Sequence, residues 1–166
     1  MGFKLPSEAR VMGVDEVTLR EYRPGDVEAM YALDVVCFDP VFQFSRRAMR
    51  YFAEARRAVT TLAEADGALV GFCIAEVDEQ TGYVVTLDVA QTWRRRGLAR
   101  RLMAEVEAKA KAAGAEAMAL HVFTGNAGAM QFYESIGYDR TGRSEAFYGR
   151  GLNALVYRKR LSDQAE

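Results

Sequence analysis

One stretch of the chain joins an apolar run to a long amphipathic run through a basic turn and a glycine. Residues 83–89, Tyr-Val-Val-Thr-Leu-Asp-Val, are typical of a β-strand, and residues 94–97, Arg-Arg-Arg-Gly, precede a helical pattern that continues to Ala113. The first N–H groups of a helix lack partners within the helix and carry the positive end of its dipole, so they can bind a phosphate. Glycine has no Cβ and lets a ligand approach the main chain. The stretch therefore predicts a phosphate site where a strand meets a helix, with an ordinary arginine-rich helix start as the alternative.

The size and charge of the chain limit the classes of protein to which it can belong. Its 166 residues, 50% of them apolar, are enough for one domain with a core. We place that domain at residues 17–166, after an N-terminal extension of residues 1–16. A net charge of −1 argues against a general nucleic-acid binder, which needs a basic surface.

The cysteines and the N-terminal residues bear on the cellular compartment. Cys37 and Cys73 are isolated among apolar neighbours, which favours buried thiols over a disulfide or a metal site. Residues 1–16 contain neither the apolar run of a signal peptide nor enough apolar residues to cross a membrane. We therefore expect a cytoplasmic protein that binds no metal and no membrane.

Hydrophobic periodicity and turn residues divide the chain into elements in the order β-α-α-β-β-β-α-β-α-β-β. Strands are predicted at residues 17–22, 59–65, 68–77, 83–89, 117–123, about 138–147 and about 152–161. Helices are predicted from Val27 with Asp26 as N-cap, over about 45–54, from Gly97 to Ala113, and after Asn126. The strand at 117–123 is apolar enough to be central. This order predicts an α+β domain around a mixed sheet.

Two short motifs lie on these elements. Arg94-x-x-Gly97-x-Ala99 opens the third helix, and a second block follows the strand at 117–123, with Asn126, Ala129, Phe132, Tyr133, Gly137 and Tyr138. Together they resemble the pyrophosphate loop and the Asn-x-x-Ala…(Leu/Phe)-Tyr…Gly-(Phe/Tyr) block of the GNAT superfamily of acetyl-CoA-dependent N-acetyltransferases. The resemblance extends from Val17 to Leu161. It implies the GNAT-type fold, a mixed and mostly antiparallel seven-stranded sheet flanked by about four helices.

The resemblance implies that acetyl-CoA is the acyl donor. In this superfamily the strand before the loop splays from its neighbour, and its backbone groups, here those of Leu87, Asp88 and Val89, line the pantetheine arm. The N–H of Val89 would then donate a hydrogen bond to the acetyl carbonyl oxygen. Further cofactor contacts are implied for Arg94, Arg95, Arg96, Gly97, Leu98, Ala99, Arg100 and Asn126. For any single arginine, a solvated basic face is the alternative.

The resemblance also implies roles for three side chains at the reaction centre. Tyr133 stands where the superfamily commonly has a general acid, and a phenol can protonate a departing thiolate in a water-poor site. His121 stands where N-terminal amine acetyltransferases carry a Glu or His base, and it would act through a water shared with Tyr83. A core tyrosine and a hydrogen-bonded core histidine are the alternatives.

Two aromatic patches resemble the acceptor loops of the N-terminal amine acetyltransferases. The first holds Phe38, Val41 and Phe42, and the second holds Tyr148. Bacterial ribosomal-protein N-terminal alanine acetyltransferases have Glu where this chain has His121, and Phe147 replaces one tyrosine of the usual pair. The resemblance implies direct acetyl transfer to the α-amine of a protein N-terminus. A small-molecule amine as acceptor, and coenzyme A binding without turnover, are the alternatives.

Overall fold

The computed structural model describes residue 13 and residues 16–161, and within them the chain forms seven strands and four α-helices in the predicted order. The elements are β1 (Thr18–Glu21), α1 (Val27–Cys37), α2 (Arg46–Ala53), β2 (Ala58–Ala65), β3 (Ala68–Asp78), β4 (Thr81–Val89), α3 (Leu98–Ala112), β5 (Ala117–Phe123), α4 (Ala127–Ser135), β6 (Asp139–Gly149) and β7 (Leu152–Arg160). The predicted extension at residues 1–16 lies outside the described residues except for residues 13 and 16. The domain boundary therefore stays a prediction.

The strands form one sheet in the order β1-β2-β3-β4-β5-β7-β6. Neighbouring strands are antiparallel except β4 and β5, which are parallel. The turn between β2 and β3 has positive φ at both Asp66 (52°) and Gly67 (77°), the conformation that a two-residue hairpin turn requires. The predicted α+β class and mostly antiparallel sheet are confirmed, and β5 is an interior strand as its apolar sequence predicted.

Helices pack on both faces of the sheet because successive strand residues point to opposite sides. In β3, Cys73 and Ala75 belong to the core beneath α3, whereas Phe72 and Ile74 belong to the core beneath α1 and α2. The apolar stripe predicted on α3 is buried, with at most 1% exposure at Leu98, Leu102, Val106 and Ala110. No helix among the described residues is long and apolar enough to cross a membrane.

Asp26 occupies the N-cap position of α1, as predicted, but its side chain does not cap the helix. A short 3-10 turn, Pro24–Asp26, precedes the helix, so Asp26 already has helical backbone angles and makes no side-chain capping bond. Its carboxylate instead accepts hydrogen bonds from the Arg20 guanidinium at 2.7 and 2.8 Å and from the Arg23 N–H at 2.7 Å. This contact holds the end of β1 against the start of α1.

The ladder between β4 and β5 is short, and this opens a gap in the sheet. Only Thr81–Tyr83 of β4 pair with Ala117–Ala119 of β5, after which the two strands part. On its other side β4 stays paired with β3, and the Ala90 N–H donates to the Val70 carbonyl at 2.8 Å. Because antiparallel pairs alternate, Leu87 and Val89 turn their N–H and C=O groups away from β3 and toward the gap. The splayed strand that the resemblance implied is therefore present.

Candidate active site

The gap between β4 and β5 opens into a cavity of about 970 Å³. Its lining comes mainly from the α1–α2 loop, β4, the β4–α3 loop, β5, α4 and the end of β6. Most predicted site residues line it, namely Phe38, Val41, Phe42, Tyr83, Leu87, Val89, Arg94, Arg95, Gly97, Leu98, Ala99, Arg100, His121, Asn126, Tyr133 and Tyr148. One continuous cavity thus brings together segments that are far apart in the sequence.

The β4–α3 loop presents backbone donors to one end of this cavity. Gly97 has a left-handed backbone with φ of 84°, and a Cβ placed there would meet no atom within 4 Å. The first backbone bond into α3 runs from the Arg101 N–H to the Gly97 carbonyl at 3.1 Å. The N–H groups of Leu98, Ala99 and Arg100 precede that bond and lack partners within the helix. Open space beside a helix start is what a phosphate group needs.

Two predicted cofactor residues, Asp88 and Arg96, do not line the cavity. Asp88 is fully buried and lies opposite Phe72 in the β3–β4 ladder. Its backbone N–H and C=O groups point toward β3 and away from the gap. The guanidinium of Arg96 lies over the Trp93 ring, 4.2 Å from its centroid, and donates to the Thr92 carbonyl at 3.1 Å. Neither residue is brought to the surface where the cofactor was expected.

Tyr83 and His121 meet where the β4–β5 ladder ends. Tyr83 pairs with Ala119, so its side chain shares a sheet face with His121 two residues farther along β5. The Tyr83 Oη lies 2.7 Å from Nδ1 of His121, and the Ser144 Oγ lies 3.3 Å from Nε2. The Phe147 ring stacks on the imidazole at 3.8 Å with an interplanar angle of 3°. Both ring nitrogens of the histidine therefore face hydroxyl groups.

Burial sets the charge state of these groups. It lowers the pKa of His121 below its usual value, which favours the neutral imidazole at neutral pH. It also raises the pKa of Tyr83 to about 12, with a smaller contribution from nearby Tyr148. The pair is thus a neutral imidazole beside a protonated phenol.

Tyr133 reaches the cavity from α4. Burial, followed by the nearby Cys73, Tyr148 and Asp88, raises the pKa of its phenol above the usual value, so the group holds its proton at neutral pH. Its helix begins at Asn126, whose Oδ1 accepts from the Ala129 N–H at 3.0 Å. The predicted helix cap is confirmed.

Aromatic rings close the end of the cavity near His121. Phe42 packs against Phe123 and Tyr148, with 5.0 Å between ring centroids in each case. The Tyr148 hydroxyl donates to the His121 carbonyl at 3.3 Å. Val41 is 52% exposed at the rim. Of the residues predicted to bind the acceptor, Phe42 and Tyr148 thus form an aromatic wall with Phe123 near His121, and Phe38 and Val41 line the same cavity.

Comparison with known proteins identifies the family. Residues 27–138 match the Acetyltransferase (GNAT) family. The chain belongs to this family. It is 27% identical over 151 residues to the N-terminal acetyltransferase A complex catalytic subunit NAA10 of Arabidopsis thaliana. The aligned region covers 87% of this chain and 78% of that protein.

Solved structures of similar fold include two with different acceptors in their names. Arabidopsis thaliana Naa50 in complex with the bisubstrate analogue CoA-Ac-MVNAL has a TM-score of 0.77 and 23% identity, over 88% of this chain and 99% of that one. Nourseothricin acetyltransferase has a TM-score of 0.73 and 24% identity, over 89% of this chain and 99% of that one. At these identities the likeness establishes the GNAT fold and leaves the acceptor open.

This GNAT protein is an acetyl-CoA-dependent N-acetyltransferase. The residues present fit the donor: the free N–H groups at the start of α3 and the open space at Gly97 suit the phosphates. On the gap side neither Leu87 nor Val89 pairs with a strand, so the N–H and C=O of Leu87 and the N–H of Val89 offer an open edge for an extended arm. The Val89 carbonyl already accepts from Nε of Arg94 at 3.2 Å and from the Cys37 thiol at 3.4 Å. Among the described residues, no cluster of three or more His, Cys, Asp or Glu side chains could hold a metal ion.

Two further side chains near His121, those of Phe123 and Ser144, were not predicted from the sequence. Phe123 follows His121 by two residues in β5 and shares its face, so strand periodicity contained the signal. Ser144 reaches His121 through β6, whose pairing with β7 shifts between Ser144 and Gly149. No local pattern in the sequence predicts that shift.

Proposed function

We propose that this GNAT enzyme acetylates the N-terminal α-amine of a protein. The observation that carries the proposal is the Tyr83–His121 hydrogen bond inside an aromatic wall at the end of the cavity opposite the β4–α3 loop. The relationship to the NAA10 catalytic subunit supports the same acceptor class. The cavity would hold the donor at one end and the first residues of a peptide at the other.

The pKa of the acceptor favours an α-amine over a lysine. An α-amine has a pKa of about 8 and a lysine side chain one of about 10.4, so only the former is appreciably neutral near neutral pH. A histidine whose pKa is lowered by burial is a mild base, suited to an amine that is already partly deprotonated. The proposal therefore matches the strength of the base to the acidity of the substrate.

Each residue has a distinct task in the proposed reaction. Acetyl-CoA supplies an activated thioester, and the Val89 N–H donates to its carbonyl oxygen. His121 takes the proton of the attacking amine through a water held with Tyr83, while Nε2 is oriented by Ser144. Tyr133, held protonated by burial, gives its proton to the departing thiolate. Neither cysteine is needed, since the amine attacks directly.

Two peptides that differ only in the available amine test the acceptor. One has a free α-amine and no lysine, and the other has an acetylated N-terminus and one internal lysine. Thiol release and mass spectrometry should show acetylation of the first peptide and none of the second, above the background without acceptor. A panel of amino acids, polyamines and aminoglycosides serves as the third arm. Faster turnover of the lysine peptide or of any small amine would overturn the proposal while leaving the acetyl-CoA site intact.

A further inference from the structure

Two aspartate side chains meet inside the protein, between α1 and the sheet face on which Phe72 lies. Asp34 in α1 and Asp88 in β4 are both 0% exposed, and their carboxyl groups lie within hydrogen-bonding reach of each other. The Phe44 N–H donates to Oδ2 of Asp34 at 2.8 Å, and the Thr86 hydroxyl donates to Oδ1 of Asp88 at 2.6 Å. One oxygen of each carboxyl group thus accepts a hydrogen bond from a donor other than the second aspartate.

The other oxygen of each carboxyl group has no such donor. Oδ1 of Asp34 and Oδ2 of Asp88 are buried and receive no hydrogen bond from any N–H or O–H group of the described residues. Two buried carboxylates in contact would repel, and an unsatisfied buried oxygen is costly. A single proton between them removes both problems, because it converts the repulsion into an O–H···O bond.

The surroundings of the pair favour keeping that proton. Burial comes first and the neighbouring Asp34 second in raising the pKa of Asp88 well above its usual value. The Thr86 hydroxyl and, to a smaller extent, the Arg94 guanidinium oppose this rise only in part. The other titratable groups that face Asp88 are Cys37 and Cys73, whose pKa values are raised mainly by burial, and Tyr133. All three are neutral at neutral pH, so none of them compensates a second negative charge.

The pair connects the two halves of the cavity. Phe44, whose N–H binds Asp34, ends the loop that carries Val41 and Phe42 at the acceptor wall. Asp88 lies between Leu87 and Val89, the residues whose backbone groups face the gap. A second contact also joins α1 to β4: the Cys37 thiol donates to the Val89 carbonyl at 3.4 Å.

We infer that Asp34 and Asp88 share one proton at neutral pH, and that this hydrogen bond positions the donor edge of β4 against the loop that closes the acceptor end. Both residues are positioning residues, because neither lines the cavity and each acts through a neighbour. The naming of the two ends rests on the proposed function. The shared proton and its effect on acetyl-CoA binding do not depend on the identity of the acceptor.

Infrared spectroscopy of the full chain tests the proton directly. The wild-type protein at pH 7 should show the C=O stretch of a buried protonated carboxylic acid. Asp34→Asn and Asp88→Asn should each lose it, because an amide then donates to the remaining carboxylate. Absence of the band in the wild type, or its persistence in both variants, would overturn the inference.

Calorimetry of acetyl-CoA binding tests the positioning. Asp34→Ala removes the bridge and should weaken acetyl-CoA binding about 5- to 10-fold, as expected for loss of one hydrogen bond. Asp34→Asn keeps a donor and an acceptor and should restore most of the affinity. If both variants merely lower the melting temperature, with wild-type affinity in the folded protein, positioning is excluded. If Asp34→Ala does not fold, Asp34→Asn alone decides. Wild-type acetyl-CoA affinity in Asp34→Asn, together with loss of its infrared band, supports the bridge. An acetyl-CoA affinity about 10-fold below that of the wild type contradicts the bridge.

Discussion

The donor end and the acceptor end of the cavity are built in different ways. The donor end is one continuous stretch, residues 87–100, and its key groups are backbone N–H donors beside Gly97. The acceptor end is assembled from side chains of the α1–α2 loop, β4, β5 and the end of β6. A site made of backbone depends on local conformation, whereas a site made of side chains depends on how distant strands are registered.

The difference predicts separable effects of substitution. Changes at the donor end should alter acetyl-CoA affinity, and changes at the acceptor end should alter the KM for the peptide. In the proposed reaction the chemical step involves Tyr133 and the Tyr83–His121 pair, and changes there should alter kcat.

The largest effect is expected from removing the Tyr133 hydroxyl, which belongs to neither binding end. If it protonates the thiolate, Tyr133→Phe should lower kcat by ~100- to 10,000-fold, the usual range for general acid–base catalysis. Calorimetry should find acetyl-CoA affinity little changed. Tyr22→Phe is the matched control, since it removes a hydroxyl bound to Glu54 outside the cavity lining. Wild-type turnover in Tyr133→Phe, with chemistry shown to be rate-limiting, would leave this tyrosine as a core residue.

The next effect tests the backbone nature of the donor end. Gly97→Ala puts a Cβ into the space that the phosphates need, and loss of charge-assisted hydrogen bonds should weaken acetyl-CoA binding ~10- to 100-fold. Alanine is also strained at this residue's φ of 84°. Gly114→Ala controls for that strain, because Gly114 at the other end of α3 has φ of 103° and equally open space. Equal acetyl-CoA affinities in Gly97→Ala and Gly114→Ala would show that the loop at Gly97 does not bind the phosphates.

A smaller effect is expected at the acceptor wall. Phe147→Ala removes the ring that stacks on His121, and an aromatic pair of this kind contributes about 0.5–1.5 kcal/mol. The KM for the peptide should rise ~2- to 10-fold with unchanged acetyl-CoA affinity. Tyr51→Ala removes an exposed ring of α2 outside the cavity lining and should change neither constant. If Phe147→Ala weakens acetyl-CoA binding as strongly as it raises KM, the two ends are not separable.

The donor end could be predicted from the sequence because its signals are local. Gly97, the basic turn and the buried stripe on α3 all follow from residue order and helical period. The cofactor contact of Asp88 was implied by the resemblance, whereas the strand pattern does not say which residues face β3. That assignment depends on the alternation of hydrogen bonds set by the β3–β4 register.

The acceptor end could be predicted only through the resemblance to a family. Nothing in the spacing of Tyr83 and His121 places one beside the other, because that contact depends on the parallel register of Tyr83 with Ala119. The same holds for Ser144 and for the Asp34–Asp88 pair, which join elements that periodicity treats separately. Sequence reasoning found the helices and strands but not the contacts between them.

The Tyr83–His121 pair should behave as one unit. Tyr83→Phe should reduce kcat less than His121→Ala does, because the imidazole remains. The double variant should lose less than the product of the two single losses, since both residues act on one water. If the kcat losses of the two single variants multiply in the double variant, Tyr83 does not act together with His121.

The pH dependence of kcat/KM in His121→Ala tests the proposed base most directly. In the wild type, the rate should rise through two limbs: one below pH ~6.5, because burial lowers the pKa of His121, and one near pH 8 from the α-amine of the peptide. In His121→Ala the lower limb should vanish, the amine limb should remain as an internal reference, and turnover should fall by at least ~100-fold. If instead His121→Ala keeps both limbs and near-wild-type turnover while its melting temperature falls, His121 is a structural residue and the proposed base is wrong.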